Sequence, residues 1–173
     1  MRLSVNLSDL SSIDAAIDEL KKYSADLERK SREICYELAK YGAMTARVLF
    51  ASAKYDGEND AMVYHTPTED GYKVVANGRA ALFLEFGAGV RYGYGHPLAQ
   101  AIGMGPGTWP YPHGQTVNGK FVWNWENPKG WHFVNESGKT VHTYGNAPSK
   151  AMYTASKVVR RSIKKVAKEV FGR

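Results

Sequence analysis

Five histidines are the residues of this sequence best suited to metal binding or proton transfer. A zinc site needs several ligands that converge on one point, and no two of these histidines stand four apart on a predicted helix. Four of the five share one Gly- and Trp-rich stretch, so a metal site assembled in space, as in a metal-dependent enzyme, is kept as an alternative. These four are His96, His113, His132 and His142.

A single cysteine, a short acidic segment and a Gly-containing loop are the other features that could take part in catalysis or ligand binding. Cys35 lies inside a predicted helix with no sequence cue for an activating base, so we expect a buried small hydrophobic residue rather than a reactive thiol. Asp56-Gly57-Glu58-Asn59-Asp60 is shorter than an EF-hand calcium loop and predicts a solvated turn. Gly89-Val90-Arg91-Tyr92-Gly93 lacks the Lys-Ser ending of a phosphate-binding loop. We therefore predict no catalytic residue, no metal, no cofactor and no enzymatic activity.

Length and charge narrow the class of protein further. The 173 residues, 43% of them apolar, predict one domain over 1–173 with its own core. No apolar run is long enough for a transmembrane helix or a signal peptide, so we expect a soluble chain made in the cytoplasm. The net charge is +6, yet residues 147–173 alone carry +7. The basic excess therefore belongs to the carboxyl-terminal segment.

An apolar residue at every seventh position predicts a long amino-terminal helix, from about Ser12 to Ala53, capped by Ser11 and Ser12. A break near Gly42 is an alternative. We expect the stripe to face the core. The second position of several repeats carries serine or threonine, so the stripe is only half apolar. Packing of the stripe against a neighbouring subunit, instead of the core, is therefore the alternative. The stripe consists of Ile13, Leu20, Leu27, Ile34, Tyr41 and Val48.

The carboxyl-terminal segment predicts a second amphipathic helix with a densely basic side. Such a density of cations favours a polyanion or an acidic partner face over a merely solvated surface. Contact with phosphates there would be independent of base sequence. The candidate DNA-facing residues are Lys157, Arg160, Arg161, Lys164, Lys165 and Lys168.

Between the helices the sequence predicts an antiparallel sheet, and thus an α+β fold. Residues 61–66 and 71–76 read as strands joined by an Asp-Gly turn, and 80–86 as a third strand of the same meander. Alternation would point Glu85 to the face opposite Leu84 and Phe86. An acid there predicts an exposed edge or a basic partner, which the carboxyl-terminal helix could supply.

An extended loop and a Trp-rich β insertion are predicted at about 90–143. Glycines and prolines punctuate the loop, an Asn-Gly turn precedes a strand at 121–125, 131–135 returns, and 140–143 adds a short strand. The tryptophans cover a small sheet or form an interface surface, and both readings stay open. The interface candidates among them are Trp123, Trp125 and Trp131.

Two short segments resemble the paired signature of a family of tailed-phage minor structural proteins, the tail-completion or neck proteins of the head–tail junction. Leu84-Glu85-Phe86-Gly87 matches the family's strand end that precedes a Gly-rich loop, and Ala147, Pro148 and Ala151 match the start of a Pro-led helix. The chain departs from the family in having Ser149 and Lys150 after the proline and in the length of 90–143.

The resemblance implies a siphophage or prophage virion protein that completes the tail or neck and joins head to tail without catalysis. It implies a homo-oligomeric ring around the DNA channel, with neck, tail-terminator or tail-tube proteins as neighbours and non-specific contact with packaged DNA. Residues 83–89 would contact a neighbouring subunit or organise the loop that does; the candidates are Phe83, Leu84, Glu85, Phe86 and Gly87. A stand-alone nucleic-acid-binding protein is the main alternative.

Overall fold

The computed structural model describes residues 8–89, 91, 95–99, 114–117, 120–123, 127–135 and 137–172. The fold is α+β, as the sequence predicts. No helix in the described ranges is both long and apolar enough to cross a membrane. In chain order the elements are α1 Leu10–Ala51, β1 Met62–Thr68, β2 Gly71–Asn77, α2 Ala81–Phe86, β3 Gly114–Val117, β4 Lys120–Trp123, β5 Trp131–Val134, β6 Thr140–Thr143 and α3 Ala151–Phe171.

Helix α1 begins two residues earlier than its sequence signal suggests. Asp9 is the N-cap, and its Oδ1 accepts a hydrogen bond from the Ser11 backbone N–H at 3.0 Å. A carboxylate at this position satisfies a helix N–H that has no partner within the helix. The helix then runs through Gly42 without a break.

The buried face of α1 differs from the predicted one. Its buried residues are small except for the last: Ala39, Gly42, Ala43, Ala46 and Phe50. Most of the seven-residue stripe faces outward instead, with Leu20, Leu27, Tyr41 and Val48 between 42% and 67% exposed. The prediction that this stripe faces the core was therefore wrong. A strict seven-residue repeat drifts around a straight helix by about 20° per repeat, so it cannot stay on one flat packing face.

Strands β1 and β2 form an antiparallel hairpin that packs against α1. The register pairs Thr68 with Gly71, so the connection lies at Glu69-Asp70, where the Asp-Gly signal places it. The ring of Tyr36 on α1 meets the rings of His65 and Tyr72 edge-on, at centroid distances of 5.4 and 5.5 Å. These contacts fix the hairpin on the helix.

The predicted third strand of this meander is the short helix α2. The Asp60 carboxylate accepts hydrogen bonds from the backbone N–H groups of Arg79 and Ala80, at 2.9 and 2.8 Å, which starts the turn. These bonds hold the pKa of Asp60 below its ordinary value of 3.8. Short apolar runs do not by themselves distinguish strand from buried helix. The capping carboxylate, nineteen and twenty residues upstream, decides the outcome.

The described residues of the insertion form two further hairpins rather than one sheet. Strand β3 pairs with β4 across the two residues Asn118-Gly119, and β5 pairs with β6. The predicted return of the strand at 131–135 onto 121–125 was wrong, because β5 takes its partner from the segment that follows it. The predicted strand at 140–143 is confirmed as β6.

Helix α3 packs antiparallel to the second half of α1. The Lys30 ammonium lies 5.6 Å from the centre of the Phe171 ring, near the carboxyl end of α3. Further along, a Cβ added to Gly42 would lie 2.9 Å from Val159 Cγ2 and 3.4 Å from Val74 Cγ2. Glycine at this position therefore lets both α3 and β2 approach the α1 backbone. The buried core comprises Ala43, Ala46, Phe50, Val63, Ala80, Leu84, Ala151 and Ala155.

Gly42→Val should lower the free energy of unfolding by about 2 kcal/mol, because the added methyl groups would overpack a contact shared by three elements. Urea denaturation measures the loss. Ala25→Val, at an exposed position of the same helix, measures the effect of a valine that meets no packed neighbour and should cost roughly 0.5 kcal/mol. Valine has a higher helix propensity than glycine, so propensity alone would not destabilise Gly42→Val. Equal losses in the two variants would contradict close packing at Gly42.

Candidate functional site

The carboxylate of Glu85 lies at the centre of the best-defined polar site in the described part of the chain. The residue is only 6% exposed. Its Oε2 accepts a hydrogen bond from the Met152 backbone N–H at 2.8 Å, and its Oε1 accepts one from the Tyr153 backbone N–H at 3.0 Å. Both donors belong to the first turn of α3, so this acid of α2 caps a helix that begins far downstream.

His96 supplies the third hydrogen bond to this carboxylate. Its Nε2 lies 3.0 Å from Glu85 Oε1, and its Nδ1 accepts a hydrogen bond from the Leu98 backbone N–H at 3.1 Å. Because Nδ1 accepts, Nε2 carries the hydrogen and donates it to the carboxylate. The ring of His96 also packs against those of Phe86 and Tyr153, at centroid distances of 4.4 and 5.5 Å. Both nitrogens are engaged, so this pair is built to hold a loop in place.

The start of α3 explains why a distant carboxylate is needed. Lys150 occupies the N-cap position in the left-handed region, with φ of 56°, and its side chain caps no helix N–H. The first N–H groups of any helix need acceptors from outside the helix, and their partial positive charge favours an anion. Glu85 provides both the acceptor oxygens and the charge.

A backbone bridge joins the same two segments beside the carboxylate. The N–H of Ala88 donates to the Asn146 carbonyl at 2.9 Å, and the N–H of Asn146 donates to the Ala88 carbonyl at 3.0 Å. Gly87 and Gly145 flank this bridge with φ of 83° and 84°. A Cβ on Gly87 would lie 2.9 Å from the Asn146 carbonyl oxygen. Glycines are therefore required for the approach of the two backbones.

Side-chain and backbone hydrogen bonds extend the junction to α2. The Asn146 side-chain amide donates to the Phe83 carbonyl at 2.8 Å. The Ser149 N–H donates to the Leu84 carbonyl at 2.7 Å, and the Lys150 N–H donates to the Glu85 carbonyl at 3.3 Å. The Phe83 carbonyl also accepts a hydrogen bond from the Gly87 N–H at 2.8 Å. The Leu84 and Glu85 carbonyls, which lack partners within the helix, are satisfied by the segment that leads into α3.

The prediction that Glu85 lies on a strand was wrong. Alternation in a strand would have separated it from Leu84, but both side chains are buried on α2. The carboxylate is buried instead of lying at an exposed edge, and the basic residue that it meets among the described ones is His96 of the 95–99 loop, not a side chain of the carboxyl-terminal helix. The carboxyl-terminal helix does supply its partners, through backbone N–H groups instead of cationic side chains.

An open pocket of about 630 Å³ lies beside this junction. It is bordered by α2, by the start of α3 and by the end of β2, and its walls are mostly apolar. Leu82 and Leu98 at the pocket are 46% and 48% exposed. The residues of the site that line the pocket are Glu85, Phe86, His96 and Tyr153.

The predicted interface residues differ in exposure. Leu84 and Glu85 are buried inside the chain. That they organise the adjacent loop, instead of contacting a neighbour directly, stays a prediction. Phe83, Phe86 and Trp131 are half-buried, and Gly87 is buried. The ring of Trp131 packs on the backbone at Gly89, since a Cβ on Gly89 would lie 3.1 Å from Trp131 Cζ3. Trp123 ends β4, and Trp125 lies outside the described residues.

The basic side chains of α3 form one outward surface, here called the basic outer face. All six predicted cations on it are exposed. Lys165 lies 3.9 Å from Glu169, and the Lys157 ammonium lies 4.7 Å from the centre of the Tyr153 ring. Such exposed contacts contribute little to stability, so the charge is available to a partner. The face consists of Lys157, Arg160, Arg161, Lys164, Lys165 and Lys168.

The other residues considered for metal binding or catalysis, which are the remaining histidines, Cys35 and the acidic segment, make packing contacts or hydrogen bonds within the fold. Within the described residues no cluster of three or more His, Cys, Asp or Glu could hold a metal ion. The rings of His132 and His142 meet across β5 and β6 in a tilted contact, with their centroids 4.7 Å apart, and His113 lies outside the described residues. Cys35 is half-buried beneath Gly71. Asp56 accepts a hydrogen bond from the Thr143 hydroxyl at 2.6 Å, so the acidic segment ties the end of β6 to the core.

Comparison with known proteins adds no relative to this picture: no protein-family model, no curated protein and no solved structure matches the chain.

Sequence reasoning missed His96 as the partner of Glu85. The histidine sits in a Gly- and Pro-rich stretch with no periodicity that would orient its side chain. One signal existed. A lone acid within an apolar run requires buried donors, and His96 is the nearest histidine downstream.

Glu85→Ala should lower the free energy of unfolding by about 3 kcal/mol, because it leaves two helix N–H groups and a buried imidazole without their acceptor. Urea denaturation measures the change. Glu58→Ala, at an exposed position, is the matched control and should fall within about 0.5 kcal/mol of the parent. A Glu85→Ala protein as stable as this control would contradict the capping role.

Changing Lys157, Arg160, Arg161, Lys164 and Lys165 together to Gln should leave the monomer folded. All five side chains are exposed, and glutamine has a helix propensity close to those of lysine and arginine. Far-UV circular dichroism of the variant should match that of the parent. Loss of helical signal would show that these side chains hold the fold together.

Proposed function

We propose that this chain is a virion structural protein of a tailed phage or prophage, which completes the tail or neck and joins head to tail. The observation that carries the proposal is the junction between 83–89 and 145–153. The resemblance rests on these two segments, and in the fold they meet through the Glu85 carboxylate and the Ala88 bridge.

The chemistry of the site favours assembly over catalysis. The polar side-chain atoms of Glu85 and His96 form hydrogen bonds with each other and with backbone groups of α3 and of the 95–99 loop. A general base needs a free lone pair aimed at a substrate. A joining protein needs instead a rigid support that fixes the loops which contact its neighbours. The carboxylate cap and the paired glycines provide such a support.

The proposed assembly is a homo-oligomeric ring around the DNA channel, in contact with neck, tail-terminator or tail-tube proteins. The exposed cations of α3 suit either packaged DNA or an acidic protein surface, since neither requires base recognition. In this account the insertion at about 90–143 supplies contacts particular to this phage.

Deleting the gene from its phage should yield filled heads and separate or malformed tails, because the proposed role is joining and not replication or lysis. Electron microscopy of lysates distinguishes the classes of particle. Complementation by the parental gene from a plasmid is the control. Normal infectious particles from a clean deletion would refute the proposal.

A further inference from the structure

The first half of α1 is only weakly supported by the rest of the fold. This projecting half, Ser8–Arg29, carries no buried residue. The last residue of α3, Phe171, lies beside Lys30, which directly follows the projecting half. An isolated helix of this length is marginal in water, so its stability calls for a further packing partner.

An apolar stripe on the projecting half gives such a partner a place to pack. Ile17, Leu20, Tyr23 and Leu27 are 43%, 50%, 50% and 42% exposed. Leu20 and Leu27 stand seven residues apart, the spacing with which one helix packs along another in a left-handed crossing. Within the described part of the chain, no element buries this stripe.

Charge indicates what the partner is. The projecting half has six acidic and three basic residues, a net charge of −3. Acids border the stripe, since Glu19 and Asp26 immediately precede its leucines and Glu28 follows Leu27. Helix α3 has six basic residues and one acidic residue, a net charge of +5, and its basic outer face is exposed. Opposite charges on two surfaces of one chain favour contact between copies.

The dimensions and placement of the two surfaces also agree. The helical part of the projecting half is about 30 Å long, and α3 is about 31 Å long. Lysine and arginine stems can cover apolar side chains while their charged ends meet acids at the border. Because the two surfaces lie on different parts of one copy, each copy can use both at once. Such head-to-tail contacts close into rings when the rotation permits.

We propose that the projecting half of α1 in one copy packs on the basic outer face of α3 in the next copy. This inference rests on the proposed function in one respect, which is that the copies assemble into a ring. Its evidence, which is exposure, spacing and charge, is independent of any role in a phage. It assigns the cations to an acidic protein surface instead of DNA.

The test uses purified full-length protein and light scattering coupled to gel filtration. One variant, Leu20→Gln with Leu27→Gln, removes the apolar stripe. The second is the fivefold glutamine variant of α3. Met44→Gln with Val48→Gln is the matched control, since these exposed α1 residues lie outside the proposed contact. Circular dichroism checks that every variant is folded.

The parent and the control should form assemblies larger than a dimer that weaken with added salt. Each of the first two variants should be monomeric alone. Mixed in equal amounts they should stop at dimers, because one intact α1 stripe then meets one intact α3 face.

A parent that stays monomeric, or an α3 variant that assembles as the parent does, would overturn the inference. So would a monomeric parent that binds a short DNA duplex in a salt-sensitive way, since the cations would then serve phosphate. The gene deletion judges the proposed function separately. Separate heads and tails in the deletion together with a monomeric parent would refute this contact and leave the joining role standing.

Discussion

One buried carboxylate holds together parts of the chain that are far apart in sequence. Glu85 accepts from the first turn of α3 and from His96, so α2, α3 and the 95–99 loop all meet at its two oxygens. A buried acid is costly unless its lone pairs are satisfied. The N–H groups at the start of α3 therefore satisfy the buried carboxylate, and the carboxylate supplies the cap that Lys150 does not provide.

The rest of the architecture follows from two demands on α1. Small residues at Ala39, Gly42, Ala43 and Ala46 let α3 and the β1–β2 hairpin lie close to one side of the helix. Several large apolar residues of the same helix, among them Leu20, Tyr41 and Val48, are at least half exposed within the described part of the chain. Together with the exposed cations of α3, this division is the basis for the proposed assembly between copies.

Local sequence signals predicted most of the elements but not the long-range contacts that shape them. The long helix, the β1–β2 turn at Glu69-Asp70 and the basic character of α3 follow from periodicity, turn chemistry and charge. Helix α2 could not be recognised, because its start depends on the Asp60 carboxylate from another segment. The burial of Glu85 was likewise hidden, since its donors are backbone groups that become neighbours only after folding.

The core face of α1 was misassigned for a related reason. Large apolar residues attract attention in a sequence, whereas close helix packing selects alanine and glycine. Of the proposed site, the two segments themselves were recognised from sequence. Their contact through Glu85 and the roles of His96 and Asn146 could be seen only in the folded structure, because these residues are far apart in the sequence.

Cryo-electron microscopy of the neck of a phage that carries this gene tests the central claim most directly. The account predicts several copies of the fold in a ring at the head–tail junction, each with the α2–α3 junction intact. Well-resolved neck density that contains no copy of this chain would contradict it.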